Sequence, residues 1–391
     1  MIVGVVGAGT MGAGIAQVCL SAGHTVRLYD ASPEAVARGA LRIADGLERL
    51  LARGRLAPAE RDAALARLAV VPELAQVAEG AEVVIEAAVE DLAAKQAICG
   101  ELDRVAAPAA LLATNTSALS ISAIAAAAHR PERVLGLHFF NPAPLMALVE
   151  VVAGTRTAAE AMASGEAFVA ALGKQAVACT DVPGFIVNRV NRPFTLEALR
   201  MLEAGEAGIE AIDAAIVAGG YPMGPFALMD LVGIDVNFAV ARSLYAAFRE
   251  AARFRPSPIQ ERLVEAGTLG RKSGQGFYRY DPEGKAIGPA AAFASPTPAP
   301  DSERGALVAD EIRAHIELAI INEAYRVAGD GVAVPPDIDL AMRLGAGHPQ
   351  GPFERAAALG LRYVVTDLRR LEQRYGERFQ IAAALWQVAS I

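Results

Sequence analysis

The sequence predicts an α/β domain built on an open parallel sheet, followed by two all-α domains. Three observations predict it. Short apolar, β-branched runs alternate with helical stretches over residues 1–182, the pattern of successive βαβ units. From residue 183 onward the periodicity is helical. Pieces of that helical pattern then return near the end of the chain, which marks an internal repeat. A chain of 391 residues is too long for one ordinary core, and the division suits its length.

Composition narrows the function classes. Hydrophobic residues make up 53% and charged residues 20%, a globular balance without extended disorder. The formal net charge of −8 argues against a nucleic-acid partner, which needs a basic face. An anionic substrate therefore needs a local basic patch. Apolar runs such as ISAIAAAA are too short to span a bilayer, so no membrane partner is expected. Cys19, Cys99 and Cys179 lie far apart and form no C-x-x-C pair. Neither a disulfide framework nor a metal site is expected, and a reducing compartment fits. The opening MIVGVVGAGT enters a strand without a basic stretch or a cleavage site, so the expected location is the cytoplasm.

The first element, IVGVVGAGTMGAGIAQVCLSAGHTVRLYD, reads strand, turn, helix, strand. Gly7, Gly9 and Gly12 form G-x-G-x-x-G between the first strand and the helix. Gly7 permits the tight turn, Gly9 lets a pyrophosphate approach the backbone, and Gly12 lets helix and strand pack closely. The helix N-terminus offers free N–H groups to the phosphates. The second strand ends in Asp30, which can accept hydrogen bonds from ribose hydroxyls and would repel a 2′-phosphate. The predicted fold is thus Rossmann-type, and the predicted cofactor is NAD rather than NADP.

Two more buried strands follow. AEVVIEAAVED runs into Glu90 and Asp91, and ALLATNTSAL ends in Thr114, Asn115, Thr116 and Ser117. Ligands lie at the carboxyl ends of such strands, so both ends should face the cofactor. Ser117 has two readings at this point: a cap for the next helix, or a chemical group. The intervening helical stretch carries Arg38, Arg42, Arg49 and Arg53 near helical spacing. It is either a solvated face or a basic edge for an anionic group.

His138 ends the strand RVLGLH, and Glu150 lies past an Asn-Pro, Ala-Pro turn in LVEVV. Adjacent strands joined by that turn would bring the two together. A neutral imidazole backed by a carboxylate makes a general base, which alcohol oxidation by NAD requires. The alternative is a satisfied core histidine and a surface glutamate.

The chain resembles the 3-hydroxyacyl-CoA dehydrogenase family of fatty-acid oxidation. The matching motifs, in order, are GAGTMGAGIA, VIEAAVEDLAAK, NTSAL, GLHFFNP, LVEVV, DVPGFIVNR and GRKSGQGFY, between Met1 and about Tyr280. The resemblance implies that His138 is the catalytic base and Glu150 its partner. It implies that Ser117 and Asn188 bind the substrate oxygen or position the histidine. Gly7, Gly9, Gly12, Asp30, Glu90 and Lys95 match the NAD site, and Asn141 and Lys272 match positions contacting the cofactor or its surroundings. The implied reaction is reversible oxidation of an (S)-3-hydroxyacyl-CoA to the 3-oxoacyl-CoA. Short-chain 3-hydroxybutyryl-CoA is the family default. A dicarboxylic substrate of aromatic (phenylacetate) degradation, 3-hydroxyadipyl-CoA, is the alternative. One departure stands out: where the family's CoA-holding helix often has a serine and a lysine, Gly46 and Arg53 stand here. Arg53 can still meet a phosphate. Two rivals are a 3-hydroxyisobutyrate-type dehydrogenase and a non-enzymatic NAD-binding protein. The first would look for a lysine in the second domain, but Lys174 precedes it. The second predicts lost catalytic residues, but Ser117, His138, Glu150 and Asn188 are present.

The expected domains are an NAD-binding domain over 1–182, a helical domain over 183–280, a Pro/Ala-rich linker over 281–305, and a degenerate second helical copy over 306–391. Glu197 pairs with Glu323, Asp213 with Asp339, and Gly224-Pro225-Phe226 with Gly351-Pro352-Phe353. In that register Asn188 falls on Ala314, so the second copy lacks this candidate, and His315 and His348 read as structural. The two copies are expected to pair within the chain, as subunits of short family members pair. A homodimer of the whole chain is compatible with this.

Overall fold

The computed structural model describes residues 1–294 and 307–389, and its chain divides into two units, 1–185 and 186–391. The first unit contains β1 (Ile2–Val6), α1 (Thr10–Ser21), β2 (Thr25–Tyr29), α2 (Pro33–Ala52), α3 (Pro58–Ala66), β3 (Leu68–Val70) and α4 (Leu74–Ala78). It continues with β4 (Val83–Glu86), α5 (Leu92–Val105), β5 (Leu111–Thr114), α6 (Ile121–Ala125), β6 (Val134–Phe139), β7 (Leu148–Ala153), α7 (Ala159–Ala171) and β8 (Gln175–Thr180). The eight strands form one sheet in the order β3-β2-β1-β4-β5-β6-β7-β8. All neighbours are parallel except β6 and β7, which are antiparallel. The chain reverses direction outward at β1/β4, which is the switch point where such sheets hold ligands.

Burial explains the continuous apolar runs. β4, β5 and β6 are buried along their whole length, as strands covered on both faces must be. In α2 the buried positions Val36, Gly39, Ile43 and Leu47 recur at helical spacing, while Arg38, Arg42, Arg49 and Arg53 are exposed. Ser32 caps this helix by accepting from the Ala35 N–H, and Pro33 opens its first turn. Gly46 faces α1: a Cβ there would lie 2.0 Å from the Gln17 Oε1, so the buried Gln17 amide fills the place a side chain would take.

The second unit is helical: α8 (Val187–Val190), α9 (Arg192–Glu203), α10 (Ile209–Ala218), α11 (Pro225–Val232), α12 (Ile234–Ala247) and α13 (Pro258–Glu265), then α14 (Ala309–Gly329), α15 (Pro335–Ala346), α16 (Pro352–Leu359), α17 (Leu361–Tyr375) and α18 (Ala383–Ala389). The segment expected to be a linker from 281 begins as structure. β9 (Tyr278–Tyr280) and β10 (Ala286–Pro289) form an antiparallel pair, and the Phe293 ring packs on Phe277 at 5.2 Å. These aromatic contacts outweigh the loop-like composition of that stretch. The rest of the expected linker, 295–305, lies outside the described residues.

The repeated sequence positions make repeated contacts. Asp213 accepts from the Phe226 and Ala227 N–H groups, and Asp339 accepts from the Phe353 and Glu354 N–H groups. Contacts between α8–α9 and α14 are reciprocal. Arg189 Nε bonds Glu323 Oε1 at 2.8 Å, and at the related positions His315 Nε2 bonds Glu197 Oε2 at 2.8 Å. This i-to-j, j-to-i pattern is what a two-fold axis imposes on a self-complementary interface. All four side chains are nearly fully buried, so each polar contact must be complete to be tolerated. Arg253 adds to Glu323 at 2.9 Å, and Arg378 to Glu197 at 3.2 Å.

Elsewhere on this seam, buried His348 donates from Nε2 to Asn191 Oδ1 at 2.9 Å, with Phe194 and Tyr221 beside its ring. Burial lowers its pKa from 6.5 to about 4. The fold thus favours the neutral ring. The associated stability is complete above the ordinary pKa and is lost as pH falls from about 6.5 toward 4. The loss should reach about 3 kcal/mol. Urea unfolding at pH 7 and near pH 4 should show a smaller acid loss for His348→Gln than for the wild type. An identical loss in both would contradict this.

Candidate functional site

The carboxyl ends of β1, β4, β5 and β6 carry the side chains that the sequence singles out. At the end of β1, Gly7 has φ +102° and contacts the Ala87 carbonyl so closely that a Cβ would lie 2.5 Å from it. A Cβ on Gly12 would lie 1.8 Å from the Gly7 carbonyl oxygen, so α1 can begin here only without one. Gly9 differs: nothing lies within 4 Å of its Cβ position, and no side chain caps α1 there. An open space therefore faces the free N–H end of a helix, a cradle for phosphate. Asp30 braces the loop by accepting from the Ala8 N–H at 2.8 Å and the Ser32 N–H at 3.0 Å.

Beside this loop, two glutamates organise the next two strand ends. Glu86, on β4, is 4% exposed and accepts from Lys95 Nζ at 2.7 Å, Thr114 Oγ1 at 2.6 Å and the Ala88 N–H at 2.7 Å. Lys95 is itself 1% exposed and also reaches Glu90 at 3.4 Å. Glu90 Oε1 accepts from Thr116 Oγ1 and from the Ser117 and Ala118 N–H groups. Lys95 thus meets this site from beneath, through Glu90, and Glu90 sets the loop that carries Ser117. The capping reading of Ser117 passes to Ser120, whose hydroxyl accepts from the Ala123 N–H at the start of α6. Asp181 also holds that helix end, accepting from Ile121 and Ser122 N–H groups and from Ser120 Oγ.

His138 and Glu150 are register partners across β6 and β7. The antiparallel turn between the strands places the two side chains on one face. His138 Nδ1 lies 2.6 Å from Glu150 Oε2, and its Nε2 lies 3.1 Å from Ser117 Oγ. Glu150 is fully buried and His138 is 4% exposed. Phe140 and Phe185 flank the imidazole, with ring centroids at 4.6 Å and 5.6 Å. Phe185 holds φ +46°, a left-handed conformation that costs a non-glycine residue about 1–3 kcal/mol. The imidazole is fixed in its plane by two hydrogen bonds and on its flanks by two rings.

A model of the 3-hydroxyacyl-CoA dehydrogenase NAD binding domain matches residues 2–182, and a model of the family's C-terminal domain matches 184–280 and 312–390. The chain belongs to the 3-hydroxyacyl-CoA dehydrogenase family. A 3-hydroxyadipyl-CoA dehydrogenase of Escherichia coli (strain K12) is 40% identical, over 99% of this chain and 97% of its own length. A 3-hydroxybutyryl-CoA dehydrogenase of Mycobacterium tuberculosis is 47% identical, over 71% of this chain and 98% of its own length. The crystal structure of a 3-hydroxybutyryl-CoA dehydrogenase from Escherichia coli K12 aligns with 100% of this chain and 98% of that one, at TM-score 0.90 and 38% identity. This member of the family is an NAD-binding dehydrogenase, and the residues present fit that cofactor. The cradle at Gly9, the bare end of α1 and the acidic Asp30 are the features it needs.

The glycines then separate by experiment. Gly9→Ala meets open space, so the melting temperature should hold while KM for NAD rises at least ten-fold. Gly12→Ala meets backbone, so the melting temperature should fall by several degrees together with NAD binding. Differential scanning fluorimetry beside NAD titration reads both; equal stability losses would contradict the assignment.

Of the other predicted positions, two belong to the first unit and two to the second. Asn141 is exposed at the turn after β6. Arg53 is exposed at the end of α2. Asn188 and Lys272 belong to the second unit, where Lys272 pairs with Asp235 at 2.6 Å. A groove of about 480 Å³ in the first unit is lined by Gln17, Leu50, Pro144, Leu145 and Met146, among others. Buried Lys174 borders it and binds the carbonyls of Ala143 and Met146 at 2.7 Å and 2.5 Å. Sequence reasoning missed Glu86, Asp181 and Phe185, and placed Asn115 at the site without its bond. Asn115 Oδ1 accepts from the Phe139 N–H at 2.8 Å, tying β5 to the strand end beyond His138. The available signal was an acid or amide at the last position of a buried strand. Among the described residues no cluster of three His, Cys, Asp or Glu is placed to hold a metal ion, and no helix is long and apolar enough to cross a membrane.

Proposed function

We propose that this chain oxidises short (S)-3-hydroxyacyl-CoA substrates to 3-oxoacyl-CoA, with His138 as general base. The observation that carries the proposal is the chain Ser117–His138–Glu150, with Nδ1 on the carboxylate and Nε2 turned to the serine. Glu150 accepts the Nδ1 proton and fixes the tautomer, leaving the Nε2 lone pair to take the C3 hydroxyl proton. As Nε2 gains that proton, the buried Glu150 carboxylate stabilises the imidazolium. Ser117 Oγ sits where it can hydrogen-bond the same oxygen, and Asn188 is assigned to it by motif. Bound NAD supplies the hydride acceptor. Asp30 favours NAD by its charge, and the exposed Arg53 beside the groove at Leu50 suits a CoA phosphate. The step fits cytoplasmic β-oxidation, and the helical copies pair within the chain in place of two subunits.

A second substrate has support of its own: a relative that matches over 99% of this chain, duplicated region included, is named for 3-hydroxyadipyl-CoA, while a structure that aligns with 100% of it is named for 3-hydroxybutyryl-CoA. Measuring kcat/KM for acetoacetyl-CoA beside 3-oxoadipyl-CoA, with NADH, separates the two. A higher value for the four-carbon acyl group supports the short-chain reading. A ten-fold preference for the dicarboxylate replaces it.

A further inference from the structure

The two-fold pattern of the helical unit breaks at one place. On one side of the seam, His348 and Asn191 close on each other at 2.9 Å. The related positions on the other side are Tyr221 and Glu317: Tyr221-Pro222 and His348-Pro349 precede the paired Gly-Pro-Phe turns, and Asn191 falls on Glu317 in the register of Glu197 and Glu323. There the seam does not close. A cavity of about 280 Å³ opens, lined by Tyr221, Arg313, Glu317, Gln350 and Arg355 among others. Tyr221 is only 7% exposed, no described residue bonds its hydroxyl, and that oxygen is not sealed from solvent, so it is open to a ligand in the cavity. Burial and the nearby Glu317 carboxylate raise its pKa, so it stays a donor.

The charged lining is confined to this side. Arg313 and Arg355 correspond to Val187 and Leu228 in the first copy. Arg355 places Nε and Nη2 on Glu317 Oε2 at 3.0 Å and 2.9 Å, and Arg313 places Nη2 on Asp310 at 2.8 Å. Each guanidinium keeps donors without a protein acceptor among the described residues. Both arginines are already paired, with Glu317 and Asp310, so what the cavity offers an anion is their remaining N–H edges and not a net charge. Gly219 makes room for this arrangement, since a Cβ there would lie 2.7 Å from the Arg313 Cδ.

We propose that this cavity binds a small oxyanion, a carboxylate or a phosphate, through the Tyr221 hydroxyl and the free guanidinium edges of Arg313 and Arg355. The volume is at the small end for ligand pockets, and planar arginine forks suit either anion. Because Tyr221 comes from the first copy and both arginines from the second, the anion would clamp the seam between them. It would therefore stabilise the helical unit wherever it binds the folded chain alone.

The test titrates the full chain with inorganic phosphate and, separately, with succinate, at constant ionic strength. Calorimetry reads affinity, and a thermal scan reads stability. The expected result is saturable binding of at least one of them with a rise of a few degrees in melting temperature. Tyr221→Phe and Arg313→Gln should each weaken that binding at least ten-fold. Preference for succinate would assign an organic acid, and preference for phosphate a phosphate ester. A crystal of the wild type grown with the preferred anion keeps the proposal testable if a variant does not fold: density between Tyr221 and Arg313 supports it. No saturable binding, binding unchanged in both variants, or density only elsewhere would overturn it.

Discussion

His138→Ala should lower kcat by about 10²–10⁴-fold, the contribution of a positioned general base, with KM for NADH nearly unchanged. The magnitude follows from the site. The imidazole is held by two hydrogen bonds and flanked by two rings, so its removal takes away the group positioned to accept the proton. Alanine leaves a cavity beneath Phe140 and removes the hydrogen bond between His138 Nδ1 and Glu150, so some stability should be lost as well. Glu150→Gln separates the two effects. The amide fills the same volume but can donate to Nδ1, favouring the tautomer whose proton sits on Nε2. Its kcat should fall by about 10- to 1,000-fold at neutral pH, less than for His138→Ala. Steady-state kinetics on both variants check this. A Glu150→Gln enzyme at wild-type rate would remove the carboxylate from the mechanism.

A chain ending at residue 300 should not survive as a soluble, active monomer. It would lose Glu323, His315 and Arg378, and with them the helices that cover Arg189, Glu197 and the apolar side chains around them, leaving that face open to water. The truncated chain can recover only by pairing its exposed seam with a second copy. Size-exclusion chromatography with light scattering should show a dimer or aggregate. A monodisperse, fully active monomer would contradict the view that the second copy covers the first.

Much of the site was legible because its chemistry is tied to backbone geometry. Gly7 and Gly12 are readable since no other residue fits where they stand. The His138–Glu150 pair is readable since a strand, a short turn and a second strand leave few registers. What stayed hidden depends on contacts between distant residues. Lys95 reads as a cofactor ligand from its motif, yet it is buried between Glu86 and Glu90, and only the fold shows that. Ser117 could not be told from a cap until Ser120 was seen to take that role. The hairpin at 278–289 was masked by Pro, Gly and Ala, because its stability comes from aromatic packing rather than local propensity. The repeat was visible in sequence, but the reciprocal hydrogen bonds required the structure, since Arg189 and His315 are different residue types at related positions.

In the proposed reaction, hydride moves between NAD and C3 of an acyl-CoA and His138 handles the proton. Loss of NADH absorbance with acetoacetyl-CoA and with 3-oxoadipyl-CoA, for the wild type beside His138→Ala, tests it most directly. The predicted result is rapid NADH consumption with at least one thioester, little with NADPH, and collapse of the rate in the variant. No turnover of either thioester by the wild type, or an undiminished rate in His138→Ala, would contradict it.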